Sequence, residues 1–499
     1  MLRFRACSPP PPLPPRSALR WIALVILCTG MLMIILDGTV VNVALPAVQD
    51  DLGFTNSSLA WVVNAYLITF GGLLLLAGRL GDLLGRRRVF LAGLVVFTVA
   101  SALCGLAQSQ GVLIGARLLQ GVGGALTSSV ILGMIITMFP EPREQAKAIG
   151  VFSFVASAGA SLGLLVGGVL TDALSWHWIF FINLPIGVAT ALLALRYVAD
   201  DAGQGLRAGA DVPGSVLITA ALMLGVFTIV EVEGNGWGST QTIGLGAVAL
   251  ALLAGFVARQ HTARQPLMPL RILRSRNVSG ANAIQVLLVA GMFGMFFLGT
   301  LYLERVLGYD ELEIGLAFLP VSLGIGLLSL GFSEQLIMRV GARPTLLTGL
   351  LLVLGGLLLF ARVPVDGRYA TDVLPSALLF GVGAGMAFPA MMTLAMSAAT
   401  PQDAGLTSGL VNTTQQVGAA LGLSLLATFS ATRTEDLVAR GAAEATALTE
   451  GYQLGFTIAA GLVVAAIALA VVVLERVPAP AHDPAQEDVA EPAARVLVG

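Results

Sequence analysis

Apolar runs of membrane-spanning length recur along this 499-residue chain. A transmembrane helix needs about 20 consecutive apolar residues, and on that rule the sequence predicts fourteen helices. The pattern therefore predicts an all-α polytopic membrane protein. The approximate predicted spans are 21–46, 58–77, 89–107, 111–138, 145–170, 178–197, 213–231, 241–259, 278–303, 313–334, 345–361, 373–397, 404–428 and 453–474.

Polar segments divide this chain into parts. Residues 1–20 are a Pro-rich leader without a signal-peptide cleavage site, and residues 476–499 are a tail rich in Ala, Pro and acids. Both segments are expected to be disordered. Between them we predict a six-helix bundle over 21–198, a linker with two additional helices over 199–276, and a second six-helix bundle over 277–475.

The basic residues predict an orientation. With both termini in the cytoplasm, the cytoplasmic segments hold 21 lysine and arginine residues and the outer loops hold five. Cytoplasmic loops carry this excess in membrane proteins. Adding or removing one helix would invert part of the alternation, so we predict cytoplasmic termini.

The composition agrees with a chain surrounded by lipid. Hydrophobic residues make up 56% and charged residues 11%, against about 25% charged residues in soluble domains. The net charge of −2 argues against a strongly basic nucleic-acid-binding protein. Because the few Cys and His residues form no ligand spacing and no catalytic constellation is evident, we expect no metal, no cofactor and no enzyme activity. We expect a monomer in the lipid bilayer.

The most informative polar segment, residues 78–88, lies between the second and third apolar runs. Its glycines allow two helix ends to approach closely and permit positive φ, and its acid can pair with a neighbouring guanidinium. A loop that only orients the chain by its positive charge is the simpler alternative. The residues that carry the spacing are Gly78, Gly81, Asp82, Gly85, Arg86 and Arg87.

This spacing resembles the signature loop between helices two and three of the major facilitator superfamily. The six, two and six helices resemble the fourteen-span drug:proton antiporters of that superfamily, and the resemblance covers about residues 21–475. It implies two bundles with an inserted helix pair, alternating access, and a loop at Asp82 that latches the cytoplasmic side. Residues 339–343 are a weak internal echo of the loop, with Met338 in the place of Asp82.

Two charged residues, Asp37 and Arg117, interrupt apolar runs. A charge inside the membrane is costly and indicates a functional site, although a purely structural pair is the alternative. Gln120 shares the helix face of Arg117. At a rise of 1.5 Å per residue, Asp37 and Arg117 both lie in the outer half, so we expect them to be coupled. The resemblance implies that Asp37 handles a proton or cationic substrate and that Arg117 participates in proton transfer.

A small-residue face marks the fifth predicted helix. Gly159, Gly163 and Gly167 recur every four residues and Gly168 is adjacent, a spacing that permits close helix packing. The pattern resembles the antiporter motif of the superfamily, but Leu164 stands where that motif usually has proline. A generic packing face is the alternative.

Several polar side chains on other spans are candidates for a substrate cavity. Core packing or a position in an interface belt is the alternative for those on the second helix, and helix-to-helix hydrogen bonding is the alternative for those on the thirteenth. The candidates are Asn64, Tyr66, Asn412, Gln415 and Gln416.

The energy source is expected to be the proton gradient, because the Gly-rich residues 381–385 lack the Lys-Ser/Thr of a phosphate-binding loop. The predicted function is efflux of a small amphiphilic or cationic substrate, such as an antibiotic or a dye, in exchange for protons. A symporter that imports a small polar solute and a dedicated exporter of one natural product remain alternatives.

Overall fold

The computed structural model describes residues 17–475 except 55, 206–210, 237 and 264–265. In this part of the chain the regular secondary structure is entirely helical. The first seven helices are α1 (Ser17–Leu52), α2 (Asn56–Leu84), α3 (Arg86–Gly105), α4 (Gln110–Met138), α5 (Pro142–Ala173), α6 (Trp178–Phe181) and α7 (Asn183–Tyr197). They are followed by α8 (Val212–Asn235), α9 (Thr240–Thr262) and the single turn α10 (Arg271–Arg274).

The remaining helices include two π-helical turns. One turn, Leu328–Phe332, joins α12 to α13, and the other, Tyr369–Val373, precedes α15. The helices are α11 (Arg276–Arg305), α12 (Glu311–Leu327), α13 (Ser333–Val340), α14 (Ala342–Phe360), α15 (Leu374–Ala395), α16 (Ala404–Ala439) and α17 (Glu444–Val472).

Eleven helical segments among the described residues are long and apolar enough to cross a membrane. The helices α5 and α16, of 32 and 36 residues, are not among these eleven segments. The apolar part of α12, Glu313–Leu327, is shorter than the eleven. The all-helical membrane fold agrees with the sequence prediction. The count of fourteen spans and the cytoplasmic position of both termini stay predictions.

Two helices extend beyond the segments predicted for them. The helix α1 begins at Ser17, inside the predicted leader, where Arg20 forms an ion pair with Glu144 at 3.0 Å. The helix α16 continues to Ala439, beyond the predicted span, because Arg433 pairs with Glu450 of α17 at 2.9 Å. Residues 1–16 and 476–499, predicted to be disordered, lie outside the described residues.

The helices pack in two groups, which we call the first group and the second group. In the first group, α1 packs against α4, α5 and α7, and α4 packs against α2 and α3. In the second group, α11, α14, α15 and α16 pack with α12 and α17. The helix α8 packs on α2 and α16, and thus touches both groups, and α9 packs on α8.

The groups meet where glycines remove the side chains between two helices. A Cβ atom built on Gly405 of α16 would lie 2.6 Å from the carbonyl oxygen of Gly78 in α2, and one on Gly133 of α4 would lie 2.7 Å from that of Ala404. Gly150 of α5 lies similarly close to Ser329. These approaches all lie near the end of the molecule that carries the 78–88 loop, so the two groups are closed against each other there.

Candidate functional site

A buried ion pair joins α1 and α4 in the first group. Nη1 of Arg117 lies 2.6 Å from Oδ2 of Asp37, and each residue is only 1% exposed. The structure therefore brings together the two charged residues that the sequence singled out. Their proposed role in transport is a separate question from their contact.

The carboxylate of Asp37 accepts two further hydrogen bonds, both on Oδ1. Gln120 of α4 donates from 2.6 Å and Asn183 of α7 donates from 2.9 Å. Ser101 of α3 accepts from the same Gln120 amide at 2.8 Å. The charge is therefore held by donors from two helices, and the hydrogen bonds through Ser101 extend the network to a third.

The guanidinium of Arg117 is also fixed on several sides. It donates to the carbonyl oxygen of Val62 at 2.9 Å and to Oε1 of Gln120 at 2.6 Å. Its central carbon lies 4.4 Å from the ring centroid of Tyr66, within the range of a cation–π interaction. Burial of an ion pair is tolerated only with such additional partners, because both charges have lost their water.

Glycines on α4 allow α2 to supply the aromatic face. A Cβ atom on Gly124 would lie 3.0 Å from the ring of Phe70 and 3.4 Å from the hydroxyl of Tyr66, and one on Gly121 would lie 2.6 Å from the carbonyl oxygen of Tyr66. The two rings stack with centroids 5.3 Å apart. Larger residues on this face would push the aromatic pair away from Arg117.

Sequence reasoning did not assign Asn183 and Ser101 to the site. Both are buried, at 1% and 0% exposure. Asn183 is the first residue of α7 and follows an aromatic run, which is a weak signal for an inward-facing polar residue. Ser101 gives no signal, since serine is common in membrane helices.

At the closed end, Asp82 joins α2 to the second group. Its carboxylate accepts hydrogen bonds from the backbone N–H groups of Gly405 at 2.9 Å and Leu406 at 2.8 Å. These groups belong to the N-terminus of α16, where the helix dipole favours a negative charge. Arg86 donates to Asp82 at 2.9 Å and also to the carbonyl oxygen of Pro401. Asp82 and Arg86 therefore both contact the second group.

Arg87 does not share this contact, although the sequence grouped it with Arg86. Its guanidinium donates to the carbonyl oxygen of Leu195, in the last turn of α7. The internal echo repeats the arrangement, because Arg343 donates to the carbonyl oxygen of Val471 in the last turn of α17 at 2.6 Å. A basic side chain is favourable at the C-terminus of a helix. Arg87 and Arg343 thus hold equivalent positions in the two groups.

The backbone of the echo also matches. Gly85 has φ of 100° and Gly341 has φ of 95°, a region that side chains other than glycine rarely adopt. Gly78 approaches α16, and Gly81 lies against Val130 of α4. Each glycine of the 78–88 segment therefore has its own steric requirement.

The predicted cavity residues fall into two sets. Asn412 is buried and donates to the carbonyl oxygens of Ser408 at 3.0 Å and Ser128 at 3.4 Å, which agrees with the helix-to-helix alternative. Tyr66 is buried beside Arg117. Asn64, Gln415 and Gln416 are half-buried, and no hydrogen bond is formed by them within the described residues. Their role in a substrate cavity stays a prediction.

The glycines of α5 face α1. Gly159 contacts Ile35, Gly163 lies against Thr39, and Gly167 approaches the backbone of Val40. A Cβ on Gly168 would have no neighbour within 4 Å. Three of the four predicted packing glycines therefore form a close helix contact, and α5 runs through this region as one continuous helix.

Comparison with protein-family models matches residues 27–423 to the Major Facilitator Superfamily. The chain belongs to the major facilitator superfamily. This major facilitator chain is 38% identical over 470 residues to the puromycin resistance protein pur8 of Streptomyces alboniger, covering 94% of this chain and 92% of pur8. It is 37% identical to the cephamycin export protein CmcT of Amycolatopsis lactamdurans, over 83% of this chain and 85% of CmcT.

A solved structure supports the major facilitator fold. The human organic anion transporter MFSD10 superposes with a TM-score of 0.62 at 16% identity, over 92% of this chain and all of that one. An identity this low bears on the fold alone. Together with the family match, it makes this chain a multi-pass transporter of the cell membrane.

Proposed function

We propose that this transporter exports amphiphilic small molecules from the cytoplasm in exchange for protons. The observation that carries the proposal is the buried Asp37–Arg117 pair at 2.6 Å, in a chain whose relatives include proteins named for antibiotic resistance and export. A buried carboxylate in a membrane helix is a natural proton-binding group, because its charge is costly without its partner.

Proton binding would act on the whole cluster. When Asp37 is protonated, the attraction to Arg117 is lost, and the amides of Gln120 and Asn183 no longer face a negative charge. These donors lie on α4 and α7, so the change reaches helices other than α1. We propose that this change biases the two bundles, 21–198 and 277–475, between alternate states.

The close contact between the two groups near the 78–88 loop supports an outward-facing state. We call the contacts of Asp82 and Arg86 with Pro401, Gly405 and Leu406 the inner gate. In the proposed arrangement of fourteen spans with cytoplasmic termini, this gate lies on the cytoplasmic side. While the gate contacts hold, a substrate between the two bundles could leave only toward the outside.

The proposed drive is the proton gradient, with no cofactor. Each charge that crosses is worth about 2.3 kcal/mol per 100 mV, which sustains a concentration ratio of roughly fifty at 1.4 kcal/mol per tenfold. For a neutral substrate, exchange of one proton per cycle moves one net charge and is therefore enough for useful efflux; for a monovalent cation the same exchange moves no net charge and is driven by the pH difference.

The test is efflux from energised cells that express the wild type or Asp37→Asn. Ethidium and puromycin are the first compounds, since pur8 is named for resistance to puromycin. The proposal expects extrusion that a protonophore abolishes and that Asp37→Asn lacks at equal expression. In inverted vesicles with a preset pH gradient, addition of the exported compound should release protons. Efflux that survives the protonophore would refute proton coupling.

A dedicated exporter of one natural product is the second candidate. The names of pur8 and CmcT each refer to one antibiotic, which favours it. Export of a single compound, with no movement of ethidium or other dyes, would replace the multidrug interpretation.

A further inference from the structure

Two linkers flank the inserted helices α8 and α9. The first linker is residues 198–205, between α7 and the undescribed residues 206–210, and the second is residues 266–275, which contain α10. The sequence predicted only a linker with two additional helices over 199–276. In the structure, both contact residues 401–403, which form the last part of the connection between α15 and α16 in the second group. We call these residues the 401–403 loop.

The first linker supplies the missing cap of α3. Gly85 precedes this helix and has no side chain for capping. Instead, the carboxylate of Asp201 accepts hydrogen bonds from the backbone N–H of Arg86 at 2.9 Å and of Arg87 at 3.1 Å. An acid at a helix N-terminus satisfies unpaired N–H groups and opposes the positive end of the dipole. Asp201 therefore fixes the backbone that carries the Arg86 side chain.

The same linker lies across the 78–88 segment. The backbone N–H of Gln204 donates to the carbonyl oxygen of Asp82 at 3.0 Å, and that of Gly205 donates to Leu83 at 2.9 Å. The amide side chain of Gln204 continues to the carbonyl oxygen of Gln402 at 2.6 Å. One linker residue thus joins the loop of the first group to the second group.

Three successive residues of the 401–403 loop are held by three different elements. Arg86 donates to Pro401, Gln204 donates to Gln402, and Arg271 of α10 forms an ion pair with Asp403. The Asp403 side chain is 6% exposed and that of Arg271 is 60% exposed. Both linkers and the signature loop therefore converge on one short segment.

The second linker is in turn tied to α8 and α9. Asp211, at the N-terminus of α8, accepts from Arg259 and Gln260 at 3.1 Å each, and Gln260 accepts from the N–H of Met268 at 3.0 Å. Burial alone would raise the pKa of Asp211, but hydrogen bonds from Gly214, Gln260 and Arg259 outweigh it and leave the pKa below its usual value. The inserted pair is thus connected to the second linker by a buried hydrogen-bond network.

We propose that the two linkers are working parts of the inner gate, with Asp201 positioning Arg86 and with Gln204 and Arg271 holding the 401–403 loop. This proposal rests on the alternating access proposed above, because it concerns the contacts that must break when the cytoplasmic side opens. It also gives the inserted helices a function: they anchor the second linker, whose Arg271 holds the 401–403 loop. Loss of a linker contact shifts the equilibrium toward the open gate.

The test measures opening at a reporter cysteine. Ser408 is 0% exposed beside the gate, and Ser408→Cys is nearly isosteric. In purified protein with Cys7→Ser, maleimide labelling of this cysteine reports opening. Asp201→Ala removes both acceptors for α3 and should raise the labelling rate about tenfold. Asp201→Asn keeps one acceptor and should give a smaller increase.

Neighbouring residues provide matched controls. Asp200 is 55% exposed and lies 3.8 Å from Arg88, so Asp200→Ala should label like the wild type. Arg271→Ala should label faster than Arg274→Ala, because Arg274 is exposed and no ion pair within the described residues includes it.

The outcomes separate the linker proposal from the proposed function. Equal labelling of Asp201→Ala and Asp200→Ala would overturn the linker proposal, even if the wild type exports drugs. Parallel labelling of the buried Cys104, read by mass spectrometry, would also overturn it, because it would indicate general loosening. If the wild type exports nothing, the proposed function is refuted. Faster labelling of Asp201→Ala that is confined to residue 408 would still support the linker proposal.

Discussion

The buried ion pair makes a quantitative prediction about non-additive mutations. In Asp37→Asn, the retained oxygen can still accept from Gln120 and Asn183, but the new amide nitrogen faces Nη1 of Arg117. Two donors then oppose each other, and a buried arginine loses its counter-charge. Removing one partner of a buried pair costs about 3–5 kcal/mol.

The reverse change should be equally harmful. Arg117→Gln leaves the Asp37 carboxylate at 1% exposure with only its amide donors. Independent effects would sum to about 6–10 kcal/mol in the double variant. If the pair is coupled, Asp37→Asn with Arg117→Gln removes both charges together, and its stability should be no lower than that of the worse single variant.

The measurement is thermal unfolding of the wild type, the two single variants and the double variant, each purified in the same detergent. Because unfolding of a membrane protein is often irreversible, the comparison uses apparent Tm at a fixed scan rate. We expect both single variants to unfold well below the wild type, with the double variant at or above the worse single one. A Tm decrease in the double variant equal to the sum of the two single decreases would refute the coupling. Transport should be lost in all three variants.

Three further predictions follow from particular contacts. Asp82→Asn loses the charge facing α16 and Arg86, so it should abolish export and speed maleimide labelling of Ser408→Cys; unchanged labelling would contradict the gate. Gly163→Val should lower stability by about 1–3 kcal/mol through overpacking against α1, measured as Tm, whereas Gly168→Val, with no neighbour within 4 Å, should not. Asn183→Ala removes a hydrogen bond to a charged group, worth about 1.5–3 kcal/mol, and should lower Tm more than Asn64→Ala; equal Tm values would count against that bond.

The sequence was informative where a residue's own chemistry conflicts with its surroundings. Asp37 and Arg117 stand out because a charge in an apolar run is costly wherever the helix lies. The steric role of Gly85 could be anticipated because a tight turn demands positive φ, observed at 100°. Both inferences depend on local properties that packing does not reverse.

The partners of these residues could not be predicted in the same way. Asn183 reaches Asp37 across 146 positions, and Asp82 reaches the N–H of Leu406 across 324. Arg86 and Arg87 are adjacent and chemically identical, yet one contacts the second group and the other the end of α7. Asp201 sits in a polar linker, where an acid gives no sign of capping a distant helix.

The sequence by itself determined the helical membrane character, the positions of most apolar helices and the two charges that need a partner, because hydropathy and the cost of burying a charge act locally. Only the tertiary structure decided which side chains complete the Asp37 cluster and which face each glycine serves. It also decided that two linkers converge on the 401–403 loop. Those outcomes depend on how helices distant in sequence pack, where glycine faces set the approach and hydrogen-bond donors must meet buried acceptors.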